Sequence, residues 1–112
     1  MNNQIENKEF LFDFFKRTPS DEVKIQIVET LNVLGIEDMA HNLIRQYNAC
    51  SENVQLTIIN NLKHIQTDKF LLPFYVHAFA KAYETDLKLA LGEAIYTSEV
   101  NGHRVIEVLE RD

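Results

Sequence analysis

Three segments of the chain repeat one pattern of apolar residues, and this repeat limits the folds that the sequence can adopt. The first apolar positions of the segments are 31 and 33 residues apart: Val23, Val54 and Leu87. Further apolar residues follow four, eight and eleven positions later: Ile27, Leu31 and Leu34, then Ile58, Leu62 and Ile65, then Leu91 and Ile95, with Ser98 breaking the pattern. Because an α-helix turns once in about 3.6 residues, these offsets lie on one face. The pattern predicts an amphipathic helix of about 15 residues, present three times.

A second apolar helix is expected after each of these first helices. The break in the first copy contains Gly35, which suits a helix end because glycine adopts positive φ without a Cβ clash. Upstream of that copy, Thr18 is expected as the N-cap and Pro19 as the first helical residue. We expect seven helices in one domain, with a half repeat at 8–17 and whole repeats at 20–48, 51–83 and 84–111.

The composition agrees with long helices joined by short links. The 112 residues are enough for one domain to bury a core, and the 3 glycines and 2 prolines are too few for a turn-rich strand architecture. The N-terminus lacks a signal-peptide pattern, and the longest apolar stretch, 70–80, is about half the roughly 20 residues that span a bilayer. With a single cysteine, Cys50, these features predict a cytoplasmic protein without direct membrane insertion.

The charge balance disfavours two classes of partner. The formal net charge is −6, and the densest cationic run is Lys16-Arg17. Nucleic-acid binding draws on cationic side chains that release phosphate counterions, and an acidic chain is repelled by anionic lipid headgroups. We therefore expect no nucleic acid among the partners of this chain.

The repeated segments resemble the HEAT-like family of helical repeats, including its short, bilin-lyase-type members. HEAT-like units begin with an aliphatic and a basic residue, continue with apolar residues four and five positions on, and carry glycines near the end of the first helix. The matching runs are Val23-Lys24, Ile27-Val28 and Leu34-Gly35, then Val54-Gln55 and Ile58-Ile59, and more loosely Leu87-Lys88 and Leu91-Gly92. Phe70-Leu-Leu-Pro73-Phe74 is similar to the opening of a HEAT-like second helix. The chain departs from the pattern where the family has its first glycine, at Asn32, Lys63 and Tyr96.

The resemblance covers roughly residues 8–111 and implies an all-α fold, a right-handed α-α superhelix (solenoid) of about three and a half helix pairs. A helical bundle with accidental periodicity is the alternative. The family includes lyases that act on bilin chromophores and DNA glycosylases, but their functional residues have no counterparts that we can identify in this chain. A lyase or nucleic-acid-acting enzyme is therefore the least favoured function.

No pattern of catalytic or metal-ligating residues stands out. The four histidines lack the His-x-x-x-His spacing of a helical metal site, and no second thiol accompanies Cys50. Carboxylate pairs such as Asp21-Glu22 lie at expected helix starts, where they interact with the helix dipole. We expect no catalytic residue, no metal and no cofactor.

The second helix of the middle repeat is more apolar than one buried face requires. With four residues assigned inward (Phe70, Leu71, Phe74 and Ala78), apolar residues are left over: Leu72, Val76 and Phe79, with Tyr75 at their border. They are expected either to form an exposed partner-binding patch or to widen the buried stripe of a helix covered on both sides. The rim of such a patch comes from equivalent second-helix positions: His41, Arg45, His77, Lys81, His103 and Arg104.

The N-terminal half repeat is too apolar for a terminal cap, because terminal repeats need a polar outer face. Its phenylalanines are expected to mediate contact with a second copy or with a preceding domain: Phe10, Phe12, Phe14 and Phe15. The chain is then either a homodimer or the C-terminal part of a longer protein. The favoured function is a non-enzymatic protein-protein interaction or scaffolding module, and a self-associating structural domain is the alternative.

Overall fold

The computed structural model describes residues 3–65 and 71–99, with side-chain surroundings for 7–65 and 71–98. These residues form six α-helices and one short 3-10 helix, and they contain no strand. The helices are α1 Asn3–Arg17, α2 Asp21–Leu34, the 3-10 helix Ile36–Met39, α3 Ala40–Tyr47, α4 Glu52–Leu62, α5 Leu71–Lys81 and α6 Thr85–Glu99. The all-helical prediction is confirmed for this part of the chain, and the predicted seventh helix lies outside it.

The repeated apolar positions face the core, as the helical period requires. The residues four and eight positions after Val23, Val54 and Leu87 are all buried: Ile27, Leu31, Ile58, Leu62, Leu91 and Ile95. The first helices α2, α4 and α6 therefore present equivalent stripes to a shared core. Their burial contributes hydrophobic free energy of about 25 cal/mol for each Å² of apolar surface removed from water.

The start of α2 differs from the prediction by two residues. Ser20, not Thr18, is the N-cap, and its Oγ accepts a hydrogen bond of 3.2 Å from the N–H of Val23. Thr18 Oγ1 instead accepts from the N–H of Ser20 at 3.2 Å. The helix ends as predicted at Gly35, whose φ of +106° is favourable only for glycine.

The first helices lie side by side, and the other helices pack on them. α2 contacts α4, and α4 contacts α6, while α1 packs on α2, α3 on α4 and α5 on α6. Polar bonds between residues 30 positions apart join the row: Ser51 Oγ donates to Asp21 Oδ2 at 2.8 Å, and Lys63 Nζ donates to Glu93 Oε1 at 2.8 Å.

Consecutive helices pack in pairs that are shifted by one helix from the repeats defined by the sequence. α5 packs far more extensively on α6, which follows it, than on α4, which precedes it. The links at 18–20, 48–51 and 82–84 are short, and each joins two helices that pack together. Short links favour such pairing because they bring consecutive helices back against each other.

The described helices include none that is long and apolar enough to cross a membrane. Their apolar residues instead form one core that draws on every α-helix. Its largest fully buried side chains are Tyr75, Phe15, Leu31, Leu43, Ile58, Ile59, Leu62, Leu71, Leu91, Val28 and Val54.

Candidate functional site

The predicted apolar patch on α5 is mostly covered. The expected exposure of Tyr75 is wrong, because its side chain is 0% exposed and its ring centroid lies 5.7 Å from that of Phe74. Leu72 and Val76 are half-buried and pack against the core. The physical reason is that α5 has neighbours on more than one side: it packs on α6, and Phe74 contacts the ring of Tyr47 on α3. The alternative of a wide buried stripe therefore describes this helix better.

The predicted rim residues are exposed but line different clefts. Arg45 lines a cleft of about 380 Å³ between α1 and α3, together with Glu9, Asp13 and Lys16 among others. His77 and Lys81 line a smaller cleft of about 100 Å³ beside the C-terminal end of α3.

The remaining rim residues do not complete one site. His41 is exposed on α3 and lines neither of these clefts. His103 and Arg104 lie outside the described residues. The four described rim positions therefore do not form one continuous surface.

The four phenylalanines of α1 divide into two pairs. Phe12 and Phe15 are buried, at 8% and 0% exposed, so the expectation that they form a free self-association surface is wrong. Their rings stack at 5.8 Å inside the core, because α1 packs on α2 and brings that face inward. Phe10 and Phe14 remain exposed, one helical turn apart.

A further groove lies on the outer face of α6. Its volume is about 780 Å³. It is lined by Lys63 and His64 at the end of α4, Phe79 of α5, and Thr85, Lys88, Leu89, Gly92, Glu93, Tyr96 and Thr97 of α6. The α6 residues recur every three or four positions, so they lie on one helix face. We call this surface the α6 groove.

Apolar side chains are unusually open to solvent in the α6 groove. Leu89 is 64% exposed and Tyr96 is 73% exposed, whereas Phe79 is half-buried at the side of α6. Contiguous exposed apolar surface on a soluble domain commonly marks an interaction site. The groove therefore offers an apolar floor that a partner side chain can bury.

The repeat explains why this face is open. Leu89 is equivalent to Ile25 of α2 and Leu56 of α4, each two residues after the first apolar position, and both of those side chains pack against the core. Three residues further on, Val28 and Ile59 are 0% exposed, and the equivalent position in α6 is glycine.

The three copies differ in their neighbours. Among the described residues, α2 contacts α1 and α4, α4 contacts α2, α3 and α6, and α6 contacts α4 and α5. The face of α6 that carries Leu89 and Gly92 is open, whereas the equivalent residues of α2 and α4 are packed.

Charged groups flank the apolar floor. Lys63 Nζ bonds Glu93 Oε1 at 2.8 Å, and this hydrogen bond with its charge attraction holds the pKa of Glu93 below its ordinary value. On the other flank, the Lys88 ammonium lies 5.8 Å from the centroid of the Phe79 ring. His64, which follows Lys63 in the sequence, is exposed and also lines the groove. An apolar floor with a charged rim is the usual composition of a protein interface.

Gly92 sets the depth of the groove. A Cβ atom at this position would lie 3.9 Å from Phe79 Cε2, which is ordinary van der Waals contact. The fold therefore tolerates a side chain here, and glycine leaves the α6 backbone open to close approach.

The described residues offer little support for a reactive centre. Among them, no group of three His, Cys, Asp or Glu side chains is placed to hold a metal ion. Cys50 is half-buried, its thiol donates to the Gln46 carbonyl at 3.1 Å, and burial raises the pKa of the thiol. A raised pKa lowers the thiolate fraction on which nucleophilic attack depends.

The sequence predicted Phe79 of the α6 groove but missed Leu89, Gly92 and Tyr96. A signal was present, because Leu89 and Tyr96 are large apolar side chains outside the repeated buried stripe. Position 89 is apolar in all three copies, however, so the sequence alone gave no reason to separate it from Ile25 and Leu56.

No protein-family model, curated protein or solved structure matches this chain.

Proposed function

We propose that this chain is a non-enzymatic protein-protein interaction or scaffolding module that receives an apolar segment of a partner in the α6 groove. The proposal includes a HEAT-like superhelical architecture of about three and a half helix pairs and a cytoplasmic location. The adjacent first helices and the short links between packed helices support the architecture.

The observation that carries the proposal is the open side of α6. The equivalent residues of α2 and α4 are packed: Val28 and Ile59 are fully buried, and Ile25 and Leu56 pack against the core. In α6 the same side carries an exposed leucine and an exposed tyrosine beside a glycine. A partner helix that lies there would bury the residues whose equivalents are packed in the other two copies.

The chemistry of the groove suits a protein ligand. Leu89, Tyr96 and Phe79 supply apolar contact area, and tyrosine is enriched among the residues that dominate binding energy. Lys63, Lys88 and Glu93 supply charges at the rim, which direct specificity more than affinity. The groove therefore favours an apolar helix that carries charges of both signs on its flanks.

A comparison of three baits tests this proposal. The wild-type chain is expected to retain a protein partner from lysate of the source cell, and Leu89→Lys with Tyr96→Lys is expected to lose it. Val33→Lys is the matched control, because Val33 is an 84% exposed apolar residue on α2 outside the α6 groove. Helix content measured by circular dichroism should be equal in all three. A partner that the groove variant retains as well as the wild type does would refute the proposal.

Self-association through α1 is a second candidate function. Phe10 is 66% and Phe14 is 47% exposed, and the two side chains lie one turn apart on α1. Phe10→Lys is expected to abolish a dimer formed through this face. The molecular mass of the wild type and of this variant, measured by light scattering, tests it.

A further inference from the structure

The α6 groove carries two flanking charges that complement those of a second copy of the same groove. Leu89 and Tyr96 lie seven residues apart along the exposed stripe, with Lys88 on one flank and Glu93 on the other. Lys88 precedes Glu93 by five residues, which is the spacing of ion pairs across two parallel helices that pair through a seven-residue repeat. We propose that α6 of a second copy occupies the α6 groove, with the two helices parallel about a twofold axis.

The pairing pattern follows from this arrangement. Leu89 and Tyr96 of one copy face the same residues of the other copy along the seam. Each Lys88 faces Glu93 of the second copy, so that the ion pair forms twice. Gly92 lies between the two apolar residues and lets the helix backbones approach closely.

The charges select the parallel orientation. In an antiparallel pair the same flanks of the two helices meet, so Lys88 would face Lys88, and Glu93 with its bonded Lys63 would face the same two residues of the second copy. The two Lys88 ammoniums would repel each other, whereas the parallel pair places Lys88 against Glu93.

Glu93 remains able to accept a second bond. It already receives a hydrogen bond from Lys63 of its own chain through Oε1, yet its side chain is 66% exposed. A carboxylate has about four acceptor sites on two oxygens. Lys88 of the second copy can therefore bind the same carboxylate from the solvent side.

The expected dimer is weak and depends on concentration. One helix face of about two heptads is smaller than the interfaces of roughly 1,200–2,000 Å² that hold stable complexes together. This inference rests on the proposed function, because it names the partner that the groove receives.

Charge reversal in the full chain tests the pairing. Sedimentation equilibrium is carried out from about 10 µM to about 1 mM, a range that resolves weak association. The wild type is expected to dimerise, and Lys88→Glu or Glu93→Lys alone should each weaken dimerisation about tenfold, because two attractive pairs become repulsive. The double variant Lys88→Glu with Glu93→Lys should dimerise like the wild type.

A mixture of the two single variants provides a sharper test. One variant then carries glutamate at both positions and the other carries lysine at both, so every pair across the seam is attractive. The mixture is expected to form a heterodimer although each variant alone dimerises poorly. A structural role of either residue within its own chain would not produce this rescue.

A cysteine at position 89 tests the orientation. In a Cys50→Ser background, Leu89→Cys should form a dimer linked by a disulfide under mild oxidation, because equal seam positions of parallel helices face each other within disulfide reach. Failure to cross-link while a dimer persists would overturn the parallel arrangement.

Three results would overturn the inference. The first is a wild type that stays monomeric up to about 1 mM. The second is a dimer that survives both single reversals. The third is a dimer that the matched variant Phe10→Lys abolishes, because Phe10 is as exposed as Leu89 but lies on α1.

The same experiments separate this inference from the proposed function. A monomeric wild type whose captured partner is lost with Leu89→Lys and Tyr96→Lys leaves the interaction module standing and rejects the second copy. The proposed function fails instead when these substitutions alter neither the molecular mass nor the captured proteins.

Discussion

Lys24 of α2 completes the end of α1 by donating a hydrogen bond of 2.5 Å from Nζ to the carbonyl oxygen of Phe15. In a continuing helix this carbonyl would accept from the residue four positions later, which is Pro19 and has no N–H. The Lys24 ammonium also lies 4.3 Å from the centroid of the Phe15 ring and close to the negative end of the helix dipole. One side chain therefore makes both a hydrogen bond to the Phe15 carbonyl and a cation–π contact with the Phe15 ring.

The contact between a first helix and the end of the helix before it recurs along the chain. Gln55, at the equivalent position of α4, donates a hydrogen bond of 2.9 Å from Nε2 to the carbonyl oxygen of Tyr47. In α6, the ammonium of Lys88 lies over the ring of Phe79. The three aromatic residues Phe15, Tyr47 and Phe79 are spaced 32 residues apart. Each first helix is thus tied to the end of the helix before it by the residue after its first apolar position.

Replacement of Lys24 should destabilise the fold most when the new side chain cannot donate a hydrogen bond to the Phe15 carbonyl. Lys24→Met leaves the Phe15 carbonyl without this donor and is expected to lower the free energy of unfolding by about 1–2 kcal/mol. Lys24→Gln should retain much of the stability, because Gln55 makes the equivalent bond. Urea denaturation of both variants measures the difference. Lys81→Met, at an exposed lysine, is the control and should change stability by less than about 0.5 kcal/mol.

The buried ion pair of Lys8 should contribute more to the free energy of unfolding than an exposed ion pair. Lys8 is 5% exposed, and its Nζ lies 2.7 Å from Asp38 Oδ2 and 3.1 Å from the carbonyl oxygen of Gly35. Asp38→Ala leaves the buried ammonium without its counter-charge and should cost about 1–2 kcal/mol, a modest value because Asp38 is itself 61% exposed. The double variant Asp38→Ala with Lys8→Met should recover part of the lost free energy of unfolding, as measured by thermal or urea unfolding.

An internal control separates burial from pairing. Asp13 and Lys16 form an exposed ion pair of 3.5 Å on α1. Asp13→Ala should therefore change the free energy of unfolding by less than about 0.5 kcal/mol. Equal effects of Asp38→Ala and Asp13→Ala would contradict the importance of Lys8 burial.

Tyr47→Phe should leave the protein as stable as the wild type or make it more stable near neutral pH. The Tyr47 hydroxyl is buried and has no hydrogen-bond partner among the described residues. Removal of an unpartnered buried hydroxyl relieves a desolvation cost of up to about 1 kcal/mol. The edge-on contact with Phe74, at 5.0 Å between ring centroids, is kept by phenylalanine. A loss of more than about 1 kcal/mol in urea denaturation would contradict this expectation.

The same substitution should change the response to alkali. Burial raises the pKa of Tyr47 to about 12, above the ordinary value of about 10, so the folded state holds the phenol proton more tightly than the unfolded chain. This contribution is complete below about pH 10 and is lost as the pH rises toward the folded-state pKa. At pH 11 the wild type should therefore lose about 1 kcal/mol relative to Tyr47→Phe, which urea denaturation at pH 9 and pH 11 can measure.

Alanine should have opposite effects at two glycines. Gly35 has a φ of +106°, which strains any residue with a Cβ, so Gly35→Ala should cost about 1–2 kcal/mol. Gly92 lies inside α6, where its Cβ would meet ordinary contacts, so Gly92→Ala should stabilise by about 0.5–1 kcal/mol through helix propensity. Thermal unfolding at low protein concentration compares the two. A destabilising Gly92→Ala would indicate that the α6 backbone is held closely by something in the folded state.

The helical elements could be predicted because their information is local. The period of 3.6 residues places Ile27, Ile58 and Leu91 on one stripe, and all three are buried. Gly35 ends α2 with a positive φ, as its lack of a Cβ suggests. The N-cap was misplaced because Thr18 and Ser20 are equally suitable cap residues, and the sequence does not say which one meets a free N–H.

The candidate site could not be predicted in the same way, since exposure depends on neighbours. Tyr75 and Phe79 have similar places in the sequence pattern, yet one is buried and the other lines the α6 groove. Tertiary packing decided the outcome: Tyr75 lies in the core beside Phe74, whereas Phe79 lies at the side of α6 beside Lys88 and Gly92.

The sequence by itself determined that three helices carry equivalent apolar stripes, because a repeated period of side chains follows from the geometry of a single helix. Tertiary structure alone decided what covers the outer flank of each stripe. Ile25 and Leu56 pack against the core, whereas Leu89 lies open on α6. The same apolar position is thus packed in two copies and exposed in the third, because burial depends on the neighbouring helices.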